Sequence, residues 1–84
     1  MPKKDPYKVP YPLVQVIWKD AVHDCDGAKA SDDLRPAILV TTGYLIREDE
    51  NGDLLIANEV DTREAWARHR NVIPNEMIVE WREI

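Results

Sequence analysis

The chain has little with which to staple, anchor or power itself. Its single cysteine, Cys25, rules out an internal disulfide, and a lone thiol fits a reducing compartment better than an oxidising one. No apolar run approaches the roughly 20 residues of a membrane span, and the charged start Met1-Pro2-Lys3-Lys4-Asp5 is not followed by the apolar stretch a secretory signal needs. A soluble, cytoplasmic protein with no membrane association is therefore expected. Three isolated glycines cannot form a phosphate-cradling loop. Basic charge is also in deficit, 11 Lys and Arg against 16 Asp and Glu. Affinity for nucleic acid at large comes from cations that displace phosphate counterions, so general nucleic-acid binding is disfavoured.

What is present is a chain of 84 residues, enough for one domain with one thin core. A chain this short often gains stability from oligomerisation, so a homo-oligomer is an open expectation. Residues 1–12 hold Pro2, Pro6, Pro10 and Pro12 and read as an irregular or polyproline-like arm, which Tyr7 and Tyr11 could pin to the domain or to a neighbour. The β domain is expected over residues 13–84.

Within it, residues 13–19 alternate Val14, Val16 and Trp18 with Gln15, Ile17 and Lys19, a strand period. Residues 20–34 show no period and read as a loop, with a possible helical turn begun by Ser31 and ended by Pro36. Residues 37–47 give the longest strand signal. Ile38, Val40, Thr42, Tyr44 and Ile46 lie on one side, and Gly43 marks a bulge or sharp bend. Glu48 to Asp53 form an acidic hairpin tip with Asn51-Gly52 as its turn chemistry, and residues 54–60 return as the partner strand. Residues 61–71 read equally as one or two helical turns, with Asp61 and Glu64 as a cap, or as a structured loop. Residues 77–84 alternate again. The fold expected is mostly β: a small, strongly bent antiparallel sheet or a partly closed five-stranded barrel, SH3-like or Sm-like, with one short helical segment.

Ile17-Trp18-Lys19-Asp20-Ala21, Thr42-Gly43-Tyr44-Leu45-Ile46, and Ile73-Pro74-Asn75-Glu76-Met77-Ile78 with Arg82-Glu83-Ile84 together resemble small bacteriophage proteins of no assigned activity. The resemblance runs from Val14 onward, and its motifs punctuate structure without carrying chemistry. It implies a compact β-barrel-like fold, a phage origin and action in the host cytoplasm. The proline-rich arm and residues 61–71 depart from the shared pattern.

Three constellations bear on function. In the acidic loop, Asp24, Asp26, Gly27 and Asp33 match positions three, five, six and twelve of a calcium-binding loop, but Val22 stands where the first oxygen ligand belongs. His23 and Cys25 give a softer metal only two ligands, so no metal site is expected. Catalysis through Cys25 would need a base and a lowered thiol pKa, and the surrounding carboxylates favour the protonated form. No catalytic residue and no cofactor is expected. The third constellation is Arg63, Trp66, Arg68, His69 and Arg70, the one locally basic stretch, where guanidinium groups and an indole could hold an anion or anchor a protein interface.

Two acidic clusters, residues 20–33 and the tip with Glu48, Asp49, Glu50 and Asp53, would steer the protein toward a basic surface. The leading expectation is a non-enzymatic phage accessory protein that binds a host protein and inhibits host function or defence. The alternatives are an oligomeric sponge for a small anionic ligand, such as a signalling nucleotide, and a virion structural component.

Overall fold

The computed structural model describes residues 8–21, 34–62 and 66–84. Five strands make one antiparallel sheet: β1 (Leu13–Asp20), β2 (Ala37–Glu48), β3 (Leu54–Val60), β4 (Ala67–Ile73) and β5 (Ile78–Glu83). Their order is β4-β3-β2-β1-β5, so β4 and β5 lie at opposite edges and the sheet does not close. A 3-10 turn, Asn75–Met77, connects them and is the only helical element among the described residues. Five residue steps separate Ile73 from Ile78, a reach of at most ~18 Å. A flat sheet would set its outer strands ~19 Å apart. The sheet must therefore bend, as the sequence pattern implies.

The core shows the same bend. Val14 and Val16 of β1 are fully buried together with Leu54 and Ile56 of β3 and Ile73 of β4, although β2 lies between those two groups. The sheet curls around β2 until its flanking strands meet, with Trp18, Leu45 and Ile78 packed around the cluster. Residues directly paired across strands share a face. Val14 pairs with Gly43, Val16 with Thr41, and Trp18 with Leu39. The inward side of β2 is thus Leu39, Thr41, Gly43 and Leu45, while Ile38 and Val40 stay 57% and 58% exposed on the outer side. The Trp18 indole Nε1–H donates to Thr41 Oγ1 at 2.9 Å, which satisfies its polar end where it packs against the core.

Gly43 lies against β3. A Cβ there would lie 2.6 Å from Ile56 Cγ2 and 2.8 Å from the Ala57 carbonyl oxygen. The glycine therefore serves a close approach of β2 to β3. Of the bulge or sharp bend expected at Gly43, the bulge lies further along β2, where the register shifts between Leu45 and Arg47. A second shift, between Ile17 and Trp18 against β5, changes the phase of the last strand. Ile78, paired with Trp18, is therefore half-buried while Met77 and Val79 remain exposed, and Trp81, opposite the buried Val16, keeps the inward side at 37% exposure, which the simple alternation of residues 77–84 does not reveal.

Two further readings change. Asp20, assigned to the loop from sequence, ends β1 and pairs with Ala37. Residues 67–71 are neither helix nor loop: they belong to β4, paired to β3 from Leu54↔Ile73 to Val60↔Ala67. The expected turn at Ser31, the loop bearing His23 and Cys25, and Tyr7 lie outside the described residues. Tyr11 is half-buried, and the Pro12 carbonyl accepts the Leu45 N–H at 2.9 Å, so the end of the proline-rich segment is tied to β2. No helix among the described residues is long and apolar enough to cross a membrane.

Candidate functional site

The acidic hairpin tip is held by a set of backbone and side-chain hydrogen bonds. The Asp49 carbonyl accepts the Gly52 N–H at 3.0 Å, and the Asp53 carbonyl accepts the Asp49 N–H at 3.0 Å. Gly52 has φ +84°. This is a three-residue hairpin loop, a turn followed by a left-handed residue, and glycine adopts that conformation without steric cost. Asp49 Oδ1 accepts the backbone N–H groups of Asn51 at 2.9 Å and Asp53 at 3.0 Å, holding the turn from inside. Asp53 Oδ1 accepts the Asn75 N–H at 2.8 Å, tying the tip to the start of the 3-10 turn.

The four acidic residues singled out by sequence therefore split into two pairs. Asp49 and Asp53 are half-buried and build the loop, while Glu48 and Glu50 are exposed and present their charge outward. Beside the tip lies an open depression of about 450 Å³ lined by Asn51, Asp53, Pro74, Asn75 and Glu76. Glu76, exposed in the first turn of the 3-10 segment, adds a carboxylate that is remote from this cluster in sequence. Only the fold brings it within reach, because the Asp53–Asn75 bond spans 22 residues.

The basic stretch is arranged differently from a pocket of converging cations. Arg63 lies outside the described residues. Trp66 and Arg68 stand on one side of the β4 edge, with the guanidinium carbon 5.2 Å from the indole centroid. The Arg68 guanidinium also pairs with Glu59 at 2.9 Å, its directly opposed neighbour on β3. Arg70 is exposed beside Ala57, and His69, also exposed, has φ +54°. The shallow depression here, about 240 Å³, is lined by Glu59, Val60, Asp61, Trp66 and Arg68. Two carboxylates thus share it with one arginine. The ion pair needs the β3–β4 register, which no local pattern in residues 61–71 encodes.

Among the described residues no group of three or more His, Cys, Asp or Glu side chains is placed to hold a metal ion. The fold and this surface define a small open-sheet β protein with a hydrogen-bonded acidic hairpin tip and a Trp–Arg–Glu stack spanning β3 and the β4 edge. Comparisons with protein-family models, with curated proteins and with solved structures find no match to the chain.

Proposed function

We propose that this is a non-enzymatic phage accessory protein that acts in the host cytoplasm by binding a host protein through a basic surface on that partner, occluding it and so inhibiting host function or defence. The observation that carries the reading is the preorganised acidic tip. Asp49 and Asp53 commit their carboxylates to backbone N–H groups, so Glu48, at the end of β2, and Glu50, in the loop, are displayed on a hairpin whose shape is already fixed. A loop ordered before encounter loses little conformational entropy on binding. The adjacent depression, with Asp53 and Glu76 in its lining, would receive a lysine or arginine side chain. A formal net charge of −5 adds long-range steering toward a basic partner.

The test is pull-down from host lysate at graded salt with the native protein and with the pair Glu48→Lys plus Glu50→Lys, which leaves the hairpin-building aspartates intact. The native protein should retain one specific partner, and the reversed tip should lose it. Equal retention by both would overturn the reading.

The sponge for a small anionic ligand has less support. Trp66 and Arg68 do stand together, but Arg68 is already paired with Glu59, and Asp61 adds a second carboxylate to the same depression. A nucleotide-dependent rise in melting temperature, lost in Arg68→Ala, would revive it. Co-purification with particles would instead favour a virion component.

A further inference from the structure

We infer that two copies of this chain pair through the outer edge of β5, antiparallel and centred on Trp81. This stands independently of the binding proposed for the acidic tip. The two sheet edges differ in their fitness to accept a strand. On β4, the Asp61 N–H bond to the Trp66 carbonyl turns the backbone groups of Ala67 outward, whereas the Leu45 N–H bond to Pro12 leaves Ile56, opposite Leu45, to face Asn71, so the backbone groups of Asn71 point inward and the outward row changes phase between them. His69, at that change of phase, has φ +54°, so the edge is broken where a partner strand would need it straight.

On β5, the Ile84 N–H donates to the Leu13 carbonyl at 2.9 Å, and the register continues through Val14↔Glu83 and Val16↔Trp81. Alternation therefore turns the N–H and C=O groups of Trp81 and Glu83 outward, while those of Arg82 and Glu80 face β1. Among the described residues no strand covers that edge.

A two-fold pairing must match outward residues with outward residues, so its centre can fall only on a residue and not between two. Centring on Glu80 or Arg82 opposes a charge to its own copy. Centring on Glu83 opposes the glutamates and leaves Trp81 without a neighbour in this chain. Centring on Val79 sets Glu80 against Ile78 and leaves Arg82 unmatched. Centring on Trp81 sets Glu80 against Arg82 of the second copy, twice, at non-hydrogen-bonded positions where opposed side chains stand closest. It also places the two indoles side by side. Trp81 is 37% exposed in the single chain, and Val79 beside it is 54% exposed. Arg82 is held in place by a 2.7 Å bond from its guanidinium to Gln15 Oε1 on β1. The result is a closed, isologous pair that removes one edge from each copy.

The experiment is sedimentation of the full chain and of two charge reversals, Glu80→Arg and Arg82→Glu, with circular dichroism as the folding control. The native chain should dimerise. Each reversal alone opposes like charges and should weaken its own dimer at least ~10-fold. Mixed together, the two variants restore both ion pairs in a heterodimer, which should form with near-native affinity. A monomeric native chain, reversals that leave the dimer unchanged, or a mixture that fails to associate although both variants are folded would each overturn the inference. So would a ring or open chain of higher mass, the signature of β5 pairing with β4 of the next copy.

Discussion

Asp53 and Asn75, 22 residues apart in sequence, are joined by a 2.8 Å bond from the Asn75 backbone N–H to Asp53 Oδ1. This bond locks the acidic hairpin to the connection between the sheet's two edge strands, and it separates the roles of neighbouring carboxylates. Removing it in Asp53→Ala should cost about 0.5–1.5 kcal/mol in urea denaturation, with Asp53→Asn, which keeps an acceptor, losing less. Asp49→Ala, which strips the acceptor from two backbone N–H groups, should cost as much or more. Glu48→Gln and Glu50→Gln should be neutral within about 0.5 kcal/mol, because those side chains build nothing in the fold. If the two glutamates mattered to stability as much as the two aspartates, the division of labour at the tip would be wrong.

Gly43 should be the least replaceable residue of β2. The methyl of alanine would meet backbone, the Ala57 carbonyl oxygen at 2.8 Å, as well as the Ile56 side chain at 2.6 Å. A side chain can turn away, but a carbonyl engaged between strands cannot move without disturbing the β2–β3 ladder. Gly43→Ala should therefore destabilise by about 1–3 kcal/mol, the cost of overpacking a dense core. In a chain whose margin is small, that shift should appear as a clear drop in the thermal midpoint. A midpoint within a degree of the native value would mean that β2 and β3 do not approach this closely.

The same glycine shows how far the sequence could be read. Its place in the middle of a strand signalled a special position, and the alternation of β1, β2 and β3 placed those elements almost to the residue. The physical reason for the glycine was not legible, because it depends on which residue of β3 lies opposite. Residues 61–71 were ambiguous for a related cause: Arg68, His69, Arg70 and Asn71 carry no apolar alternation, since β4 is an exposed edge whose outer side need not be hydrophobic. Its strand character comes from pairing with β3. The Glu59–Arg68 pair and the Asp53–Asn75 tie are likewise products of register, and no local pattern encodes them. In β5 the period-two signal was real, but the shift beside Ile17 breaks its phase, so that Ile78 and Trp81, an odd number of residues apart, both take the side of the core.

His69 offers a test of local strain. A residue with a Cβ at φ +54° is disfavoured, glycine tolerates it, and β-branched residues tolerate it least. His69→Gly should leave stability unchanged or raise it by up to about 1 kcal/mol, despite the poor strand propensity of glycine. His69→Val should do the reverse and lower it by about 1–2 kcal/mol, although valine ordinarily favours strands. That inversion of the usual β-propensity order, measured by chemical denaturation, would show that β4 is kinked at this residue. A stabilising valine would show that it is straight.

The Trp66–Arg68–Glu59 stack should contribute little to stability, and this follows from its exposure. Arg68 and Glu59 are 64% and 51% exposed, so solvent screens their attraction and ordering two long side chains offsets part of it. A double-mutant cycle between Arg68→Ala and Glu59→Ala should give a coupling of about 0.2–1 kcal/mol that shrinks as salt is raised. Trp66 adds a cation–π contact of about 0.5–1 kcal/mol at such a site. The variants should therefore stay folded, which is what makes them usable as probes of ligand binding on the β4 edge. A coupling well above 1 kcal/mol that ignores salt would place the pair in a shielded environment and require something to cover this side of the sheet.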